Sequence, residues 1–326
     1  MEHPEPLGAR QINGPLGYVF RRLLATVPVM AVVAVFVFLL IHLAPGDPAA
    51  LIAGDLASGE DIARLHVALG LDQPLWKQFA LWAGRLLSGD LGTSIFTQVP
   101  VTELLAQRLQ PTLSIAVLTM TLTLVVAIPL GVLAAYRAGS WVDRLVMVFA
   151  VLAFSVPVFL VGYLLIWVFA MQLHWVPAQG FVSISEGVGP WLRSLALPSV
   201  NLALVYIALV TRMTRATVLE VLHEDYIRTA RAKGLGVLAV LGHALRNAAI
   251  PIATTVGVGI ALLIGGVVVT ETVFAIPGVG RLVIESVQRH DYPVIQSVLL
   301  LSAGVYVLVN LLIDLSYRLF DPRIQY

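Results

Sequence analysis

The residue types that carry chemistry are sparse in this chain, and none falls into a reactive pattern. None of the 326 residues is cysteine, which excludes disulfides, thiol nucleophiles and thiolate-held metals. The seven histidines stand singly, with no H-E-x-x-H pair, and no G-x-S-x-G marks a serine nucleophile. Each lone histidine, His42 and His174 among them, reads as a helix-end or loop residue. The two lysines, Lys77 and Lys233, lie outside any Walker A sequence, so no nucleotide site is expected. We therefore expect no catalytic, cofactor-binding or metal-binding residue.

One polar cluster does have an informative spacing. His223–Pro251 reads HEDYIRTARAKGLGVLAVLGHALRNAAIP. Its first part predicts a short polar helix, capped by Asp225 and ended by Gly234 in a left-handed conformation. Tyr226, Thr229, Ala230 and Lys233 would share one face at i, i+3, i+4 and i+7. Small residues on such a face allow close docking by another body. After Gly234-Leu235-Gly236 comes a short apolar helix, Val237–Leu245, which needs cover. Spacing alone is equally compatible with packing against the chain's own helix ends and with docking into a partner.

The elements that position this cluster must lie in a bilayer. Hydrophobic residues make up 59% of the chain and charged residues only 12%, about half the share in soluble domains. So few charges cannot cover a soluble surface. The net charge of +1 gives no reason to expect nucleic acid as a partner. A spanning helix needs roughly 20 mostly apolar residues. Six charge-free stretches qualify: Leu23–Gly46, Leu109–Tyr136, Leu145–Leu173, Ser194–Thr211, Asn247–Thr270 and Tyr292–Ile313. The fourth is the shortest. Arg21 and Arg22 precede the first stretch as they would in a secretory signal. Its length exceeds the roughly 7–15 apolar residues of a signal, so it reads as an uncleaved helix.

Basic residues favour the inside of a membrane. With the N-terminus inside, 13 of the 20 Lys and Arg fall on inside segments and 7 outside. This predicts a cytoplasmic segment at 1–22, a transmembrane domain at 23–318 and a cytoplasmic tail at 319–326. Within the domain, 44–108 is a long outside loop with amphipathic stretches such as Leu75–Leu87, and 212–246 is the large inside loop. The six stretches hold no Asp, Glu, Lys or Arg, although ion-driven pumps place such groups in their spans. Nor is there a filter loop or charged ring of the kind channels use. Pro28, Pro129 and Pro157 are candidate kinks, and Gly257, Gly259, Gly265 and Gly266 suit close helix packing.

The inside loop resembles the "EAA" loop of ABC importer permeases. Arg228-Thr229-Ala230 stands where that family has Glu-Ala-Ala, Gly234 follows at the family spacing, and Leu245-Arg246-Asn247 replaces its Leu-Pro pair. Further blocks are similar to the B-type permeases of dipeptide, oligopeptide and nickel importers. They are Ala44-Pro45-Gly46-Asp47-Pro48, Leu69-Gly70-Leu71-Asp72-Gln73-Pro74, Gly89-Asp90-Leu91-Gly92-Thr93-Ser94, Glu271-Thr272-Val273-Phe274, Pro277-Gly278-Val279-Gly280-Arg281 and Asp291-Tyr292-Pro293. The resemblance implies an all-α membrane protein with about six spans and the type I ABC importer permease fold, in a bacterial inner membrane. It implies half of a translocation pathway for di- or oligopeptides, with nickel or another small solute as the alternative cargo. The implied partners are a C-type permease, two ATP-binding subunits or domains that carry ATP and magnesium, and an extracytoplasmic binding protein. It also implies that Glu224, Asp225, Tyr226, Arg228, Thr229, Ala230, Lys233, Gly234 and Leu235 couple the chain to an ATPase. An ion-coupled secondary transporter is the rival class, and it lacks the intramembrane carboxylate that class would need.

Overall fold

The computed structural model describes residues 15–43, 49–50, 58–68 and 70–320. The Ala44–Pro48 block, Leu69, most of the N-terminal segment and residues 321–326 lie outside the described residues. The chain forms two compact units: one contains residues up to Leu105 together with Glu285–Leu315, the other Ala106–Ile284.

In the first unit, helix α1 (Pro15–Leu43) carries Pro28 within an unbroken run. Helices α2 (Gly59–Ala68) and α3 (Leu75–Leu87) follow. The Phe38 ring of α1 meets Phe79 at 5.4 Å and Trp82 at 5.7 Å, which seats one face of α3 on the end of α1. His42 is indeed a helix-end residue, bonded through Nε2 to Gln78 Oε1 at 3.1 Å.

Helix α4 (Val101–Tyr136) leads into the second unit, where Trp141–Ser155 forms α5 and Val158–Leu165 forms α6. Together with the turn that follows, the two make one apolar stretch bent by 101°, the geometry of a broken span or of a re-entrant loop. The cause is local. Pro157 disfavours helical geometry at the residue before it, and Val156 accordingly adopts φ −86°, ψ 130°. The third charge-free stretch is therefore bent rather than straight. Pro129, by contrast, lies inside the continuous α4. After α6 the chain continues as a π-helical turn at Ile166–Gln172.

Helix α7 (Val188–Leu222) is the core element of this unit, with 72% of its most apolar window buried. The fourth stretch looked shortest because Arg212 and Arg215 interrupt it, yet the helix runs through both. Its 35 residues extend about 52 Å, well beyond a hydrocarbon core of about 30 Å. Helices α5, α6 and α10 (Ala249–Val273) pack on it. Small residues allow this approach: a Cβ on Gly131 of α4 would lie 2.5 Å from Thr214 Cβ. One on Gly266 of α10 would lie 2.9 Å from Leu202 Cδ1, whereas Gly265 faces open space.

Between α7 and α10 lie α8 (Asp225–Ala232) and α9 (Val237–Asn247). Helix α11 (Val279–Gln288) follows α10, and α12 (Tyr292–Phe320) is the last element. Among the described residues five helices are long and apolar enough to span a membrane, or six if the bent pair is one span.

Candidate functional site

The α7–α10 connection is a helical elbow whose polar half is seated by one deeply buried side chain. Between His223 and Gly234 the only aliphatic side chain larger than alanine is Ile227, and it is 0% exposed. It inserts among Ala135, Val218, Leu222, Val240, Ala244 and Ile252. Of the sequence-predicted residues, Glu224, Asp225, Tyr226, Arg228, Thr229, Lys233 and Gly234 are exposed, and Ala230 and Leu235 are half-buried. The expected shared face is thus outward at Tyr226, Thr229 and Lys233 and half-buried at Ala230. Sequence reasoning overlooked Ile227, although its isolation in a polar stretch was a readable signal.

Local bonding sets the two ends of α8. The N-cap is Glu224 rather than Asp225, and it makes no side-chain cap bond. Asp225 sits in the first turn and pairs with Arg228 at 3.1 Å. At the other end Gly234 adopts φ +81°, which lets Leu235 N donate to Ala230 O at 3.2 Å. Burial of the Tyr226 ring, with the Glu224 carboxylate beside it, pushes its hydroxyl above the usual tyrosine range, and Asn247 opposes that shift. Tyr226 therefore stays a neutral hydrogen-bonding group at physiological pH.

The apolar helix α9 finds part of its cover inside the chain, through buried Val240 and Ala244. Val237 and Leu238 remain exposed. Beside the elbow is a cavity of about 520 Å³, lined by Tyr136, Leu219, His223, Arg231, Leu235 and Leu241 among others.

Three buried polar sockets accompany the elbow, none of them foreseen from the sequence. Asp143 at the start of α5 pairs with Arg215 of α7 through two bonds, one from Nη2 at 2.7 Å and one from Nε, and accepts Gly139 N at 2.9 Å. Glu271, 0% exposed, accepts Thr112 Oγ1 at 2.5 Å and Arg281 N at 2.9 Å. A Cβ on Gly278 would lie 1.9 Å from Glu271 Oε1, and one on Gly280 would lie 2.7 Å from Val268 Cα, so both positions require glycine. In the first unit, Asp291 accepts Ser94 Oγ and, at 3.1 Å, Ile95 N. The sequence blocks therefore pair up in space: 271–274 with 277–281, and 89–94 with 291–293. Among the described residues no three His, Asp or Glu side chains group as metal ligands.

A helical domain with five or six apolar crossings and an exposed elbow between α7 and α10 defines a multi-pass membrane protein. The chain belongs to the family of binding-protein-dependent transport system inner membrane components, which it matches over residues 127–326, and residues 16–116 match the family's N-terminal region. It is a multi-pass inner-membrane protein. It is 54% identical over 310 residues to the probable peptide ABC transporter permease protein of Sinorhizobium fredii, covering 95% of this chain and 99% of that one. It is 43% identical over 312 residues to the glutathione transport system permease protein of Escherichia coli O6:H1, covering 95% and 99%. The fold is that of a chain in the inward-facing MetNI methionine ABC transporter, with a TM-score of 0.55 and 19% identity, covering 68% of this chain and 97% of that one.

Proposed function

We propose that this chain is one permease subunit of an ATP-driven peptide importer and supplies half of its translocation path. The relatives named for peptide and glutathione transport support peptide cargo, since they match over almost the whole chain. The observation that carries the mechanism is the elbow: a short polar helix seated by buried Ile227, with Glu224, Asp225, Tyr226, Arg228, Thr229 and Lys233 exposed. Such a helix suits a cleft on an ATPase, with Ala230 and Gly234 permitting close approach and Tyr226, Arg228 and Lys233 offering polar contacts. In this reading the elbow and both termini are cytoplasmic. ATP and magnesium are held by two ATPase partners, a C-type permease completes the path, and a binding protein delivers cargo on the other side. Closure of the ATPases drives rigid-body exchange between inward-open and outward-open states.

The test is substrate-stimulated ATPase activity of the reconstituted complex. Ala230→Arg is expected to abolish stimulation while the complex still inserts in the membrane. Gly234→Arg is expected to do the same, although it also strains a left-handed position. Stimulation equal to that of the unaltered complex in both variants would remove the elbow from the coupling route.

A further inference from the structure

Helix α3 carries an apolar face that no described residue covers. Phe79 and Trp82 turn toward α1, as the ring contacts with Phe38 show. The adjoining stripe, Trp76, Ala80 and Leu87, is spaced i, i+4 and i+11, which places the three on one side of the helix. Trp76 is 72% exposed and Leu87 89%. On the other side of this stripe lie Lys77, Leu81 and Arg85, at i, i+4 and i+8. Among the described residues no carboxylate pairs with Lys77 or Arg85; Lys77 donates only to Gln73 Oε1, at 2.9 Å.

The position of α3 along α1 identifies what meets that face. Its contacts fall on Phe38 and His42, in the last turns of a helix whose apolar window is Leu24–Leu43. Helix α3 therefore sits at the depth where α1 leaves the hydrocarbon. Val32, Phe36 and Leu43 of α1 are likewise apolar and exposed, as on a helix that faces lipid. Tryptophan at such a boundary and cations beside it are the composition of a helix seated in the bilayer interface. Lys and Arg stems lie along the apolar surface while their heads reach lipid phosphates.

We propose that α3 is an interfacial helix, with Trp76, Ala80 and Leu87 inserted among lipid acyl chains and with Lys77 and Arg85 bound to anionic headgroups. The helix clamps the end of α1 to the membrane surface.

The absence of cysteine makes the test direct. Trp76→Cys, Leu87→Cys and Lys77→Cys are nitroxide-labelled one at a time, with Ala80→Cys as a milder alternative within the stripe. The assembled importer, with cysteine-free partner subunits, is placed in nanodiscs of phosphatidylethanolamine and phosphatidylglycerol. Labels at 76, 80 and 87 are expected to be several-fold more accessible to dissolved oxygen than to a water-soluble nickel chelate, and the label at 77 the reverse. Nickel accessibility at 76, 80 and 87 equal to that at 77 would overturn the proposal. So would shielding of those positions from both reagents, which would mean that a protein covers the stripe. In native mass spectrometry, Lys77→Ala with Arg85→Ala is expected to lose preferential retention of phosphatidylglycerol over phosphatidylcholine. An unchanged ratio would refute the headgroup contact.

Discussion

The buried Glu271 carboxylate is surrounded by donors alone: the Thr112 hydroxyl and the Arg281 amide. A carboxylate suits this socket because it accepts from every side. Glu271→Leu would leave the buried Arg281 amide without its acceptor, a cost of about 1–3 kcal/mol. Gly278→Ala acts on the same contact from the opposite wall, where the new methyl would overlap the carboxylate. Both variants are expected to lower the unfolding midpoint of the purified protein, and combining them should cost less than the sum because they break one shared contact. Strict additivity would show that the two residues act separately. Little of this was legible beforehand. The charge-free criterion ended the fifth stretch at Thr270 because Glu271 follows, although the helix continues to Val273. Thr112 lies 159 residues away and Ser94 lies 197 residues from Asp291. Neither helical period nor local spacing reports on partners so remote.

At the scale of elements, hydrophobic length located the five long apolar helices and the bent pair, and charge misplaced their ends. Arg215 looked like a loop residue flanking the fourth stretch, yet it lies within α7 and binds Asp143. A half-buried ion pair is worth little in itself, but removing one partner strands the other, at about 3–5 kcal/mol when the site is well buried. Arg215→Met alone should therefore destabilise the packing of α5 on α7. Asp143→Leu together with Arg215→Met should recover most of the loss. Protease susceptibility of the 137–144 connection in detergent measures this, and a double variant as labile as the single one would refute it. The bend at Pro157 was partly legible, since proline marks a kink, but its 101° size depends on how α5 and α6 pack against α7.

At the scale of the whole molecule, burial is uneven. Helix α7 is a core helix by any standard, whereas the apolar windows of α1 and α12 are each only 11% buried within the chain. Such surfaces need lipid or another subunit. The chain is therefore expected to co-purify in mild detergent with a second permease and with ATPase subunits, and to be lost to proteolysis when produced without them. Stable recovery as a monodisperse single chain, with no ATPase bound when the whole set is co-expressed, would contradict the proposed assembly. The sequence blocks that mark the family fall largely on the polar sockets and on loops rather than on the spans, because the spans need only be apolar and of sufficient length.

The depth of the Ile227 side chain has a mechanical consequence. A thrust along that side chain passes directly to whatever lies beneath it. Ile227 delivers any such thrust to a floor assembled from α4, α7, α9 and α10. Ala135, Val218, Val240 and Ile252 each belong to a different one of these helices. In the proposed coupling, a small displacement at the surface is thus shared among several long levers at their common fulcrum.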